Sequence, residues 1–571
     1  MPYQAPVADY QYIYESVLNL SQVTDTKAFS DIDFETVGAI LTEAGRLAED
    51  VLHPSNRNGD LHPAKLENGK LRSSPGFAEA FRAISEGGWV STSAGQKHGG
   101  MGLPLSVTTA INEMMASGNL ALQLNPLLTQ GQIEALEIHA TDAIKDIYLP
   151  KLISGAWSGT MNLTEPQAGS DVGALSTKAV RNDDGTYAIT GQKIFITWGD
   201  TDFTDNVCHL VLARLPDGGK GTKGISLFLV PRNIPDDNGE PGHANRLKVV
   251  SLEHKLGIHG SPTAVMQYDG ATGWLVGQEH DGMKCMFTMM NNARLGVGCQ
   301  GVGVAEAAYQ HALSYAMERK QGRTPVSGDG SIVDHADVRR MLATMKAEIF
   351  AARTIALDCA IALDMGKATG SPDWKSRAAF LTPIAKTFGT DIGIKVAELG
   401  VQVHGGMGFI EETGAAQYAR DVRITSIYEG TNGIQAMDLV ARKMLDEGDM
   451  AYAILEEIES FAEAARATRP RMAEDVWSAT ETLREATEWM VGQADLNERF
   501  AGCVPYLNGF ARILGAHYHL KAACAEGYDG PRSRLARFYI NRLLPEHSGL
   551  LAHATQGAAD LYAISIEDLS S

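Results

Sequence analysis

Apolar positions along the chain change period in a way that divides it into segments. In the lead segment, residues 1 to about 35, the spacing of Tyr10, Tyr12, Ile13, Val17 and Leu18 predicts a short amphipathic helix. From about 35 to 160 the pattern is helical throughout. DFETVGAILTEAGRLAEDVL and SPGFAEAFRAISEGGW repeat apolar residues every three or four positions, and GQKHGGMGLP punctuates them before VTTAINEMMASGNLALQLNPLL. Beyond Trp157 the character changes. TYAIT, QKIFITW, VCHLVLARL, GISLFLVP and TAVMQYD are rich in β-branched and aromatic residues and are separated by turn signals such as DDG and PDGG.

Helical periodicity returns at about 283 in four long segments: MFTMMNNARLGVGCQGVGVAEAAYQHALSYAMERK, VRRMLATMKAEIFAARTIALDCAIALDMG, WKSRAAFLTPIAKTFGTDIGIKVAELGVQV and GIQAMDLVARKML. Four helices of that length predict an antiparallel bundle. A final helical segment is set off by a charged, Pro-containing connection around ATRPRMAED. The expected class is α+β. The expected domains are 1–160, helical with its lead segment; 161–282, a β-domain; 283–445, a four-helix bundle; and 446–571, a helical extension.

At 571 residues the chain is long enough for several substantial cores. Its 44% hydrophobic and 21% charged residues are those of an ordinary soluble globular protein. Lys plus Arg number 49 against 69 Asp plus Glu, a net charge of −20, which argues against nucleic acid or an anionic membrane as partner. Cys208, Cys285, Cys299, Cys359, Cys503 and Cys524 form no C-x-x-C pair, so neither a disulfide framework nor a metal site is expected. MPYQAPVADY lacks the layout of a signal peptide and no run approaches eighteen apolar residues, so the expected compartment is the cytoplasm.

GVGCQG at 296–301 satisfies G-x-G-x-x-G, but a dinucleotide fingerprint needs a strand immediately before its first glycine. Here the preceding MKCMFTMMNNARL is helix-like. The better account is small residues that let this helix approach another helix, or something flat, closely. A different stretch invites chemistry. In ITSIYEGTNGIQ, residues 424–435, Glu429 lies in mostly apolar company between Tyr428 and Gly430. Burial there raises a carboxyl pKa, as a general base near neutral pH requires. Lifting it from about 4.3 to about 7 costs about 3–4 kcal/mol. Gly430 permits close backbone approach, and Thr431 offers a hydroxyl. A glutamate in a loop before a helix is the plainer reading of the same residues.

MNLTEPQAGSDVGALSTKA, residues 161–179, contains two turns, Thr164-Glu165-Pro166 and Gly169-Ser170. GQKIFITWGD follows at 191–200 and carries Phe195 and Thr197 two residues apart, hence on one strand face. A flat heteroaromatic ring with a polar edge would suit that face, and so would plain packing with turn capping.

Taken together, TEPQAGSD, GQKIFITWG, GIHGSPTAVMQYDG, NNARLGVGCQG, YAMERK, VQVHGGMGF and IYEGTNGIQ occur in the order found in the acyl-CoA dehydrogenase family, which the chain resembles from about 35 to 445. The lead segment and the extra C-terminal helices are similar to those of the family's longer subgroup. The resemblance implies an N-terminal helical domain, an antiparallel β-domain and a C-terminal four-helix bundle, with FAD held between the last two. By motif, Met161, Leu163 and Thr164 would line the isoalloxazine, and Phe195 and Thr197 would cover its other side and edge. Arg319 from a neighbouring subunit would meet the pyrophosphate. Gln402, Gly405 and Gly406 would approach the phosphates, and Thr431 the flavin. Ser170 would lie near the CoA moiety, Arg294 beside the acyl-CoA channel, and Gly430 at the substrate. Gly433 stands where many relatives carry a glutamine, and ERKQGR replaces the common ERxxFG with Gln321 and Gly322, so altered contacts to the cofactor tail are expected.

The implied reaction is α,β-dehydrogenation of an acyl-CoA thioester. Glu429 would abstract the α-proton, the flavin would take the β-hydride, and the Glu429 N–H would help hold the thioester carbonyl. The substrate expectation is 3-methylthiopropanoyl-CoA, with general short- or medium-chain acyl-CoAs as the alternative. The implied partners are electron-transferring flavoprotein as acceptor and a second copy of the chain, at least a homodimer. An acyl-CoA oxidase would share these residues, and a non-enzymatic nucleic-acid-associated flavoprotein would need a basic face. A nitroalkane-oxidising relative would replace Glu429 with Asp.

Overall fold

A computed structural model describes residues 3–324, 326, 328–527 and 530–571. Its backbone contacts separate the chain into two compact units, one of Met1–Gly45, Pro104–Glu113 and Arg294–Ser571, the other of Arg46–Leu103 and Met114–Ala293.

The second unit is built on a sheet of seven strands among the described residues. Preceding it is a short hairpin, β1 (Lys65–Glu67) and β2 (Lys70–Arg72), which corrects the expectation of unbroken helix from 35 to 160. Its turn is Asn68-Gly69, both with positive φ (51° and 75°), the pairing a two-residue hairpin loop prefers. The main sheet begins at β3 (Trp157–Asn162), a few residues before the expected boundary, and continues through β4 (Lys178–Arg181), β5 (Tyr187–Thr197), β6 (Asn206–Arg214) and β7 (Ile225–Pro231). A small side hairpin, β8 (Asn233–Pro235) and β9 (Pro241–Ala244), leads to β10 (Leu247–Leu252) and the long β11 (Thr263–Val276), which close the sheet. Pairing is antiparallel except where β6 runs parallel to β3 and meets the end of β4.

VCHLVLARL and ISLFLVP read as continuous apolar runs because both faces of their strands are buried. Leu210, Leu212, Leu227 and Leu229 point to one core with Trp157, Leu149 and Met286. Val211, Ala213, Phe228 and Val230 point to the other with Ile189, Met266 and Tyr268. The helix Leu105–His139 bends at Asn119 (φ −157°, ψ 95°), whose side chain accepts from Leu122 N at 3.1 Å and so restarts the helix beyond the bend.

In the first unit the four expected periodic segments are the helices Gly282–Glu318 (whose first turns belong to the second unit), Ala336–Thr369, Pro372–His404 and Asn432–Arg442. The extension supplies Asp449–Ala465, Pro470–Gly492 and Leu496–Glu526 with shorter helices after them, and the ATRP connection lies inside it rather than before it. The glycines of GVGCQG do the job of close approach. A Cβ on Gly298 would stand 2.7 Å from Ala385 O, and one on Gly301 would stand 2.3 Å from Gly389 O, so two helix backbones cross in contact. In the lead segment Val7–Tyr12 is helical and buries Tyr10, with Ile13 and Val17 buried just beyond. Asp9 pairs with Lys346 at 2.8 Å and also with Arg532, and Arg353 is gripped by Glu113 and Glu306 at 2.7 and 2.8 Å.

Candidate functional site

Glu429 sits in a turn between a short 3-10 segment, Arg423–Ser426, and the helix Asn432–Arg442. Its φ is +57° and that of Gly430 is +84°, two successive left-handed residues of which the first carries a side chain. Such backbone costs on the order of 1–3 kcal/mol and persists only when the surroundings hold it. They do so here. Gln435 Nε2 donates to Glu429 O at 3.2 Å, and Lys386 Nζ donates to Gly430 O at 2.9 Å and to Asn432 Oδ1 at 2.7 Å. Thr431 caps the following helix, its Oγ1 accepting from Ile434 N at 3.2 Å, which leaves its own O–H free to donate. Tyr428 OH donates to Gln300.

Burial pushes the Glu429 carboxyl up to about 7, against the pull of Arg294 and Lys386. Arg294 is 7% exposed and lies 3.9 Å from Asp438, and desolvation moves its guanidinium down. Glu429, Gly430, Thr431 and Arg294 are therefore brought together in one unit, with the acid poised to exchange a proton near neutrality.

Elsewhere in that unit, Gln402 is exposed in the last turn of Pro372–His404, and its carbonyl accepts from Gly405 N. Gly405 has φ +60° and ψ −138°, and a Cβ on it or on Gly406 would meet nothing within 4 Å. The glycines thus present bare backbone to open space. Arg319 is exposed just past the helix Gly282–Glu318.

The second unit holds the other expected contacts. Met161 is the penultimate residue of β3, and Leu163 and Thr164 follow the strand, half-buried. Thr164 O accepts from Ile194 N at 3.0 Å, which sets Thr164 beside β5. Ile194 and Phe195 form a bulge opposite Val265, Phe195 taking φ +59° and exposing 59% of its surface while Ile196 is buried and Thr197 is not. The bulge breaks the simple alternation from which one face was expected for Phe195 and Thr197, and both keep some exposure. Ser170 lies exposed on the loop beyond Glu165.

Two supports of this region escaped the sequence reading. Behind β3, Thr160 bonds His209 Nδ1 at 2.7 Å, and Asn162 joins Thr160 (2.8 Å) to Tyr268 (2.9 Å). Burial holds His209 down to about 3, so the imidazole is neutral. Below the loop, Lys193, 0% exposed, donates to Glu165 at 2.8 Å and to Leu163 O at 2.9 Å. Glu165 also accepts from Ser176 N and Thr177 N; burial alone would raise its pKa, but Lys193 and these donors hold it at about 2. A signal existed for Lys193. It shares the parity of buried Tyr187 and Ile189 along β5, so alternation alone pointed it inward.

Taken by itself, the second unit offers an exposed aromatic ring and hydroxyls at Thr164 and Thr197, which suit a flat ring with a polar edge. Taken by itself, the first unit offers an open glycine turn and an exposed guanidinium, which suit phosphate. Among the described residues one carboxylate–histidine group, Asp217, Glu279 and His280, is close enough to share an ion, but both carboxylates already pair with Arg181.

Comparison with known proteins accords with this. Residues 39–156, 160–271 and 280–445 match the acyl-CoA dehydrogenase N-terminal, middle and C-terminal domains, and 454–565 match the acetyl-CoA dehydrogenase C-terminal-like domain. The chain is 46% identical over 524 residues to a 3-methylmercaptopropionyl-CoA dehydrogenase of Ruegeria pomeroyi, covering 89% of this chain and 88% of that one. It is 31% identical to a butyryl-CoA dehydrogenase of Syntrophomonas wolfei, covering 97% of each. A solved structure described as the electron transferring flavoprotein of Acidaminococcus fermentans contains a chain that superposes with a TM-score of 0.61 at 27% identity, over 72% of this chain and 100% of that one. No helix among the described residues is long and apolar enough to cross a membrane. The chain belongs to the acyl-CoA dehydrogenase family, oxidoreductases that act on acyl-CoA thioesters with FAD as cofactor.

Proposed function

We propose that this protein dehydrogenates 3-methylthiopropanoyl-CoA to its 2,3-enoyl thioester, with Glu429 as the base. The observation that carries this reading is Glu429 itself, a carboxyl held near neutrality on a strained turn between two buried cations. The α-proton of a thioester is weakly acidic, so its removal needs a base of matched pKa and a donor for the developing enolate oxygen. Glu429 takes that proton, and its backbone N–H faces the thioester carbonyl. FAD, when bound, supplies the acceptor for the β-hydride.

Met161, Leu163, Thr164, Phe195, Thr197 and Thr431 are assigned to the flavin, and Arg319, Gln402, Gly405 and Gly406 to its phosphates. Ser170, Arg294 and Gly430 are assigned to the acyl-CoA. The Glu165–Lys193 pair keeps the Leu163–Thr164 backbone in place for ring contact. Arg294 binds no phosphate in this scheme; its charge restrains the rise in the Glu429 pKa. The acceptor in this reading is an electron-transferring flavoprotein, and the working form is at least a homodimer, each copy lending Arg319 and the glycine turn to the other.

The methylthio substrate is supported by the name of the 46% identical relative from Ruegeria pomeroyi. The butyryl-CoA dehydrogenase of Syntrophomonas wolfei supports a second reading, a short straight-chain substrate. Purified flavin-loaded protein should be assayed with an artificial acceptor against 3-methylthiopropanoyl-, butanoyl-, octanoyl- and palmitoyl-CoA. The proposal expects the highest kcat/KM with the methylthio thioester. A higher value with butanoyl-CoA would transfer the assignment to the straight-chain substrate.

A further inference from the structure

Lys386 lies in the middle of the helix Pro372–His404, with Pro383, Ala385 and Phe388 around it in sequence, and its side chain is fully buried. Lysine is almost never placed so without a specific partner. Its Nζ meets two acceptors on the Glu429 turn, the Gly430 carbonyl at 2.9 Å and Asn432 Oδ1 at 2.7 Å. Asn432, first residue of the next helix, is held in turn by donating to Asp391 at 2.6 Å and to Thr390 Oγ1 at 3.0 Å. With Gln435 on the Glu429 carbonyl, each of the two consecutive left-handed residues has its carbonyl oxygen tied by a side chain. Those are the restraints that a backbone otherwise costly to hold requires.

We propose that Lys386 is the positioning residue of the catalytic turn: its buried ammonium clamps the Gly430 carbonyl and Asn432, fixing the backbone that presents Glu429, and sets a positive charge beside the base. The proposal rests on Glu429 acting as that base.

The charges facing these groups are few. Glu429 feels Arg294 and Lys386. Lys386 feels Asp391, Glu429 and Arg294, and Arg294 feels Asp438, Glu429 and Arg442. Asp391 feels Lys386 and Arg423 and is hydrogen-bonded by Asn432 and Asn508. Burial moves the Lys386 ammonium down to about 8, above the value of about 7 for Glu429, so it is mostly charged on the acid side of the Glu429 titration, where the acid limb is read. Both cations lower the affinity of Glu429 for its proton. Removing either one moves the Glu429 titration upward.

The test combines pH profiles of kcat/KM with melting temperatures. In Lys386→Met the acid limb should move up by about one pH unit, the effect of losing one nearby opposite charge. The plateau kcat should fall about tenfold or more as the turn loosens. Lys386→Arg keeps the charge without the same reach, so it should return the acid limb to its wild-type position while the plateau stays low. A second readout needs no turnover. The pH at which the melting-temperature gain of Glu429→Gln levels off should shift upward by the same amount in the Lys386→Met background. Should Lys386→Met fail to fold, Asn432→Ala carries the test, with a lowered plateau and an unmoved acid limb expected.

An acid limb that stays put in Lys386→Met, or an unchanged plateau in both Lys386→Met and Asn432→Ala, would overturn the inference. If Glu429→Gln itself turned over normally, the base assignment would be lost instead, and the two failures are thereby separable.

Discussion

Glu165 and Lys193 are paired at 2.8 Å with side chains 2% and 0% exposed, directly beneath the Leu163–Thr164 backbone. The lysine also donates to Leu163 O at 2.9 Å, so one buried cation ties a motif carboxylate to the main chain that precedes it. The pair therefore couples the stability of the β-domain to the position of the residues assigned to the flavin.

Lys193→Met is expected to cost about 3–5 kcal/mol, because it leaves the Glu165 carboxylate buried without its cation. The Glu165 pKa is depressed from 4.5 to about 2 in the fold, so the stability it contributes is present above about 4.5 and lost as pH falls towards 2. Denaturant melts of wild type and variant should therefore diverge most near neutral pH and converge in acid. Adding Glu165→Gln to Lys193→Met should recover part of the loss.

Gly301→Ala should be destabilising by roughly 1–3 kcal/mol or more, since relief requires two helix backbones to separate. The added Cβ would stand 2.3 Å from Gly389 O and 2.7 Å from Thr390 Cα, neither of which is a flexible side-chain end. A thermal melt checks it, and a wild-type midpoint would contradict the close crossing.

The sign of the Glu429 contribution is opposite to that of Glu165. Its folded pKa of about 7 lies above the 4.5 of the free side chain, so folding takes up protons between those values and stability falls as pH rises through them. Glu429→Gln should thus raise the melting temperature at pH 8 and leave it nearly unchanged at pH 4. Equal effects at both pH values would show that the carboxyl is not desolvated in the fold.

Much of this arrangement was legible in the sequence, and the gaps have physical causes. Runs rich in β-branched and aromatic residues bounded by turn signals placed β5, β6, β7 and β11, and period-3.6 runs placed the bundle helices. β3, β4 and β10 were missed, short strands whose composition is set by a loop motif or by turns rather than by alternation. The Asn68-Gly69 hairpin carried a readable turn signal overlooked inside a helical stretch. For the site, the expected rise of the Glu429 pKa agrees with the desolvation found there, although Ile427, its apolar neighbour in sequence, is itself exposed. Lys386 and Asn432 reach the same turn from 43 residues before and three residues after Glu429, and only tertiary structure brings the first of them near. Lys193 was hidden differently, since a lysine in a strand is ordinarily assigned to solvent unless parity is followed.

The central claim is that Glu429 removes the α-proton, and rapid mixing of flavin-loaded Glu429→Gln with 3-methylthiopropanoyl-CoA tests it most directly. The account predicts a folded yellow protein that binds the thioester while its flavin absorbance at about 450 nm stays essentially unbleached, the rate being lowered by about a hundredfold or more. Bleaching at the wild-type rate would contradict it and assign the proton to another base.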